Sequence, residues 1–203
     1  NTATSGTSTV LELSLSATIN SGNETEFNTL LTHEANGQIN ITSQNLTVDS
    51  GTISVSTAND LDATTVGQVT ASIATDSTVD NLATLTGSNA YTIVIAAADA
   101  TGSTAGELTA IDNATTVLLD ATAVTEVSGS NTEISTLYGS GGVNGLGDEI
   151  IIITNDLTVA EANEIDLLTT DVVTATIVSF ETVEALKTLT GVNEYSITIN
   201  AVD

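Results

Sequence analysis

The feature that most constrains this chain is a long internal duplication. The stretch "ANDLDATTVGQVTASIATDSTVDNLATLTGSNAYTIVIAAAD", starting at Ala58, returns as "ANEIDLLTTDVVTATIVSFETVEALKTLTGVNEYSITINAVD", starting at Ala162. The offset is 104 residues, and both copies carry the run Thr-Leu-Thr-Gly, at 84–87 and at 188–191. Self-similarity at a fixed period points to an architecture in which one supersecondary unit is stacked on its like.

A shorter unit lies inside the long one. Each begins with a helical signal, an acid followed by an apolar residue and another apolar residue three later: Glu26-Phe27 with Leu30, Glu107-Leu108 with Ile111, Glu133-Ile134 with Leu137, Glu164-Ile165 with Leu168. Capping-box patterns recur upstream, at Asn23/Glu26, Thr57/Asp60, Ser77/Asp80, Thr104/Glu107, Ser130/Glu133 and Thr158/Glu161. In such a box the small polar side chain accepts an unpaired first-turn N–H, and the acid reaches back to the cap residue's own N–H. A β-rich run follows each helical stretch: Gln38 to Thr42, Gln68 to Ile73, Tyr91 to Ala96, Thr116 to Ala121, Glu149 to Thr154, Val172 to Ile177 and Tyr195 to Asn200. Short links between helix and strand predict parallel strands joined by crossovers. From Gln68 the runs start 23, 25, 33 and 23 residues apart, so four short units make one long offset. The expected fold is an α/β solenoid: a parallel β-sheet with one short helix per coil of roughly 23 to 25 residues, closed by an N-terminal β cap.

Two segments depart from the unit. "STVLELSLSATI", Ser8 to Ile19, alternates as one long strand with Leu11, Leu13, Leu15, Ala17 and Ile19 on one face. Residues 1–22 are therefore expected as a cap or an inter-subunit strand, and residues 23–203 as the repeats. Within the repeats, 45–56 reads as an inserted hairpin about Asp49-Ser50-Gly51, and 139–147 as a Gly-rich insertion, "GSGGVNGLG". Val69, Ala71 and Ile73, like Val173, Ala175 and Ile177, are expected to point inward. In "EIIIIT" the same phase puts Ile151 and Ile153 on the outer face, where a partner surface would cover them.

Composition excludes several partners. One lysine faces 26 acidic residues, for a formal charge of -25, and such a field repels nucleic acid and anionic membranes. With 40% hydrophobic residues in ordered patterns, the chain reads as folded despite its acidity. It has no cysteine, so no disulfide or cysteine metal site is available. No apolar run is long enough to span a bilayer. Acidity with almost no lysine suits salty surroundings outside a cell, and the start at Asn1 suits a processed chain.

The units "GELTAIDNATTVLLDATAVTEVSG" and "ANEIDLLTTDVVTATI" resemble the Thr- and Ala-rich tandem units of very large surface-associated proteins of marine bacteria, cyanobacteria especially. The likeness covers roughly residues 58 to 203 and is one of unit length and style. It implies an extracellular structural or adhesive role.

The search for chemistry yields few candidates. His33, the single histidine, lies in "LTHEANG", which reads as a helix end, where an imidazole meets terminal carbonyls. Paired carboxylates such as Asp60 with Asp62, Asp148 with Glu149 and Glu164 with Asp166 read as caps and surface acids, in a chain with few aromatics to form a sugar platform. No catalytic residue is assigned. Calcium is the one metal the oxygen-rich composition suits, with Asn144 and Asp148 of "GGVNGLGDE" as candidate ligands. Outward Thr-x-Thr pairs suggest an ice-binding face, but Ile151, Ile153, Gln38 and Asn40 interrupt the column. Asn23, Asn40, Asn45 and Asn113 head N-x-[ST] sequons, glycosylation candidates in a secreted chain.

The second copy stops at "YSITINAVD", where the first runs on from Asp99 into another capped helix. The expected function is that of an extracellular structural repeat protein forming or belonging to a filament, sheath or surface layer by head-to-tail assembly, with a calcium-dependent adhesin or ligand-binding module of a giant cell-surface protein as the alternative. Leu11, Leu13, Leu15, Ile151, Ile153, Tyr195, Ile197 and Ile199 are the expected assembly residues.

Overall fold

The computed structural model describes residues 10–13, 17–20, 22–97 and 101–199. In chain order these form β1 (Leu11–Glu12), β2 (Thr18–Asn20), α1 (Glu24–Ala35), β3 (Ile39–Asn40), β4 (Asn45–Thr47), α2 (Val55–Thr64), β5 (Val69–Ser72), α3 (Val79–Leu82), β6 (Ala90–Thr92) and β7 (Ser103–Thr104). There follow α4 (Ala105–Ala114), β8 (Leu119–Asp120), β9 (Glu126–Gly129), α5 (Asn131–Gly139), β10 (Val143–Asn144), β11 (Ile150–Leu157), α6 (Val159–Asp166), β12 (Val173–Ile177), α7 (Val183–Leu186) and β13 (Glu194–Ile197).

Helices start where the chain supplies an acceptor. Complete capping boxes open α1 at Asn23/Glu26, α5 at Ser130/Glu133 and α6 at Thr158/Glu161. Thr104 and Glu107 exchange the same pair of bonds ahead of α4. Two expected caps shift. α2 is capped by Ser54, so Thr57 falls in its first turn, and α3 is capped by Thr78, one residue after Ser77. Where several small polar residues compete, the apolar phase selects among them: these starts bury Val55, Ala58 and Leu61 in α2, and Val79 and Leu82 in α3.

The chain forms two compact units. The first comprises Asn1–Ala74, Leu85–Thr92 and Ala114–Val117, and the second Thr75–Thr84, Ile93–Asn113 and Leu118–Asp203. The first unit holds a two-stranded sheet, β1-β3, and a four-stranded sheet in the order β2-β4-β5-β6. The second holds a two-stranded sheet, β10-β8, and a five-stranded one in the order β13-β12-β11-β9-β7. Every pairing is parallel, as short helical crossovers require.

The expected solenoid with one coiled sheet is thereby corrected. The fold is α/β with several separate parallel sheets. Many strands are only two or three residues long, and beyond them pairing survives as isolated bridges such as Ile53–Ile73 and Val94–Asp120. Even the long β11 shifts register against β12 between Ile152 and Asp156.

Three local expectations also change. The hairpin at 45–56 is absent: β4 lies parallel between β2 and β5, Ile53 bridges Ile73 in parallel, and Ser54 already belongs to the cap of α2. The described part of Ser8 to Ile19 is two strands in two different sheets, since β1 pairs with β3 and β2 with β4. Leu15 lies outside the described residues. Ile151 and Ile153 are core residues, 0% and 7% exposed, so they offer no assembly surface. Ile151 stands in register with Val127 on one side and Val173 on the other, which fixes the inward phase that four consecutive isoleucines conceal. Val69, Ala71, Ile73, Val173, Ala175 and Ile177 are buried as their alternation predicts.

Candidate functional site

The two copies build the same polar buckle. In the first, Asn59 Oδ1 accepts the Thr86 N–H at 2.9 Å, and Asp62 accepts from Thr86 Oγ1 and Asn89 Nδ2, both at 2.8 Å. Asn89 Oδ1 then accepts the Val69 N–H at 2.9 Å, tying the helix and strand together. In the second, Asn163 accepts Thr190 N–H at 2.9 Å, and Asp166 accepts from Thr190 at 2.8 Å and Asn193 at 2.6 Å. Asn193 closes it on the Val173 N–H at 2.8 Å. Gly87 and Gly191 turn the chain at φ 73°, and a Cβ on either would collide with the aspartate. Asp62 and Asp166, read from sequence as members of carboxylate pairs, thus have both oxygens engaged in fixed structural bonds. Near the middle of the chain, Thr109 replaces the asparagine, and its buried hydroxyl has no hydrogen-bond partner.

A second recurring device is a buried threonine after a helix. Thr65, Thr115 and Thr169 donate to the carbonyls of Gln44, Tyr91 and Glu149, each at 2.6 Å. Each also accepts the N–H two residues on, from Gly67, Val117 and Asp171. A single hydroxyl therefore satisfies two backbone groups. Sequence reasoning missed these threonines because nothing separates them from the other threonines of so Thr-rich a chain.

The copies diverge in what covers them. Val79, Leu82, Leu85, Tyr91, Ile93 and Ile95 are all buried, from 0% to 8% exposed. Their counterparts 104 residues on are the same amino acids: Val183, Leu186, Leu189, Tyr195, Ile197 and Ile199. There Val183 and Ile197 are 41% exposed and Ile199 62%, while Leu186, Leu189 and Tyr195 are half-buried. Val192 beside them is 95% exposed. Among the described residues β13 pairs with β12 alone. Burial, and secondarily the charge of Asp62, raises the Tyr91 phenol far above its ordinary value, and Tyr195 is raised in the same direction by the same causes with Asp166.

The other edges are smaller. Among the described residues β1 and β2 each pair on one side only, and Val10 and Leu11 are 43% and 58% exposed. Leu13 is half-buried and lines a shallow cleft with Glu12, Asn40, Ser43 and Gln44. In the second unit a cleft of about 170 Å³ is lined by Thr78, Asp80, Thr101, Ser103 and Glu107 among others. Burial works against ionisation of Glu107, but hydrogen bonds from Asp80 and Thr104 outweigh it and hold this carboxyl below the usual range.

The calcium candidates flank the Gly145-Leu146-Gly147 segment. Asn144 and Asp148 are exposed, whereas Glu149 next to them is fully buried. Glu149 Oε2 accepts the Gly147 and Asp148 N–H groups at 2.8 and 3.2 Å, and Oε1 has no hydrogen-bond partner. Among the described residues no group of three or more His, Cys, Asp and Glu side chains is placed to hold a metal ion. His33 lies in the last turn of α1, its Nδ1 against Gln38 Oε1. Of the sequons, Asn23 is the exposed α1 cap, Asn113 is exposed, Asn40 donates to Glu12, and Asn45 accepts the Gln68 N–H. Among the described residues no helix is long and apolar enough to cross a membrane.

Comparison of the chain with protein-family models, curated proteins and solved structures finds no match.

Proposed function

We propose that this is a structural repeat protein of the cell exterior that builds, or belongs to, a filament, sheath or surface layer by pairing through its strand edges. One observation carries the reading: six apolar residues that are core in the first copy return unchanged in the second, where Val183, Ile197 and Ile199 are exposed and Leu186, Leu189 and Tyr195 only half-buried. Exposed apolar residues on an open parallel edge are the features of a surface made to be covered. The resemblance to tandem units of large marine surface proteins supports the same role, and the acidic composition suits salty surroundings. No reaction is assigned; of the paired carboxylates, Asp62 and Asp166 are bound in the buckles. The test is light scattering with negative-stain microscopy of the purified chain in high salt, with calcium and then with chelator. Ordered assemblies that survive the chelator are expected; a monodisperse monomer under every condition sinks the reading.

A calcium-dependent adhesive module is the second reading, favoured by Glu149, whose buried Oε1 lacks a protein partner beside a Gly-rich, oxygen-bearing loop. It expects a calcium-dependent rise in melting temperature that Glu149→Gln abolishes. An unchanged melting curve on calcium titration rejects it.

A further inference from the structure

The strands that lead into the two copies differ in charge at one equivalent place. Thr65 Oγ1 donates to the Gln44 carbonyl and Thr169 Oγ1 to the Glu149 carbonyl, each at 2.6 Å, and the two threonines stand 104 residues apart. Two residues on, Leu46 pairs with Val69, and Ile151 with Val173, both in parallel. Gln44 and Glu149 are therefore counterparts, 2% and 0% exposed. A neutral amide ahead of the first copy is a buried carboxylate ahead of the second. Glu149 Oε2 accepts the Gly147 and Asp148 N–H groups, while Oε1, among the described residues, has no hydrogen-bond partner. A charge held out of water needs a partner of opposite sign. The side chains supply none. Lys187, the only lysine or arginine, is exposed and paired with Glu184 at 3.0 Å, and His33, the single histidine, lies in α1 against Gln38.

We propose that Glu149 Oε1 binds a monovalent metal cation taken from the surrounding salt. The turn that presents the carboxylate is already fixed, since Thr170 donates its N–H to Gly147 O at 2.8 Å and Thr169 holds the Glu149 carbonyl. A main-chain oxygen is at hand: the Leu168 carbonyl, just past the C-terminal end of α6, lies 3.9 Å from where a Gly147 Cβ would stand. That end of a helix favours positive charge. The charge of the site selects the ion. One buried carboxylate is neutralised by one positive charge, whereas a divalent ion would leave a net charge in the same dry place. Calcium takes roughly 6 to 8 oxygens, several of them from carboxylates in its tighter sites. Here Asn144 and Asp148 are exposed, and among the described residues no three acidic or histidine side chains are grouped to hold a metal. Because Glu149 leads directly into β11, the middle strand of its five-stranded sheet, the ion ties that sheet to the identity of the salt as well as to its strength. The inference does not rest on the assembly reading, and it competes with the calcium reading for the same carboxylate.

The test separates the identity of the cation from ionic strength. Urea midpoints of the purified chain are measured at neutral pH in sodium or potassium chloride against tetramethylammonium chloride, at a constant total of about 0.5 M so that screening is equal throughout. Wild type is expected to unfold at higher urea in at least one of the metal salts, with a midpoint that climbs as metal replaces tetramethylammonium. Glu149→Gln installs the residue found ahead of the first copy, so it should fold and lose that gain, whereas Asp148→Asn should keep it. If Glu149→Gln does not fold, Glu149→Asp withdraws the charge by one methylene and should need more metal for the same gain; an undiminished response there overturns the proposal. Equal midpoints in all the salts overturn it, as does a gain that survives in Glu149→Gln. Loss of the gain in Asp148→Asn overturns the single-carboxylate site. A gain produced by millimolar calcium and by neither monovalent metal overturns the proposal in favour of the calcium reading.

Discussion

Asn89 and Asn193 occupy equivalent places in the two buckles, yet the first is 3% exposed and the second half-buried. Replacing Asn89 by alanine strands the N–H of the fully buried Val69 and takes one donor from Asp62, a loss of about 1 to 3 kcal/mol. Asn193→Ala should cost less, since water reaches the groups it leaves. Urea midpoints of the two variants check the order; equal losses would mean that burial does not set the cost. Glycine supplies a second comparison. Gly87 and Gly102 both have positive φ, 73° and 82°, but only at Gly87 would a Cβ meet Asp62, while Gly102 has open space around it. Gly102→Ala should cost about 1 to 2 kcal/mol of backbone strain, and Gly87→Ala more, with the buckle displaced. Thermal unfolding of the pair decides it.

The helix caps and the threonine posts act at the scale of whole elements. Bonds from the Thr158 N–H and hydroxyl hold the Glu161 carboxyl below its ordinary value of 4.5. The sign follows from linkage: a depressed folded value contributes stability that is complete above 4.5 and lost as pH falls through the lower folded value. Thr158→Ala should therefore destabilise α6 by about 0.5 to 2 kcal/mol at neutral pH. Its difference from wild type should narrow at pH values where Glu161 is protonated. Urea titrations at neutral and acid pH test this, and a difference independent of pH would count against the box. These caps were readable in the sequence at Asn23, Thr104, Ser130 and Thr158, because acceptor and acid stand three residues apart just before an apolar residue. Ser54 and Thr78 were not, because neighbouring residues offered equally good acceptors and only packing chose among them.

At the scale of the whole molecule, charge opposes both compaction and association. A net charge near -25 with Lys187 as the lone side-chain cation, paired to Glu184 at 3.0 Å, leaves the carboxylates to repel one another. The Debye length falls from about 30 Å at 0.01 M to about 10 Å at 0.1 M salt. The urea midpoint should rise over that range with sodium chloride alone. A midpoint insensitive to salt would show that the repulsion is already relieved, for instance by bound cations. Stability gained by screening would also favour contact between the apolar edges of separate chains.

The sequence by itself determined the duplication, the alternation of capped helices with strands, their parallel pairing, and the inward faces of Val69, Ala71, Ile73, Val173, Ala175 and Ile177. These are local periodicities, and a chain carries them whatever it packs against. Tertiary structure alone decided that the strands belong to separate sheets, that residues 45–56 run parallel and make no hairpin, and that Ile151 and Ile153 are core. Strand phase in an unbroken isoleucine run is set by the neighbouring ladders, and the extent of a sheet by how many backbone bonds survive between short strands. The contrast between Tyr91 and Tyr195 shares that origin: the tyrosine and the asparagine and isoleucine two residues to either side are the same, yet the first is buried and the second half-buried.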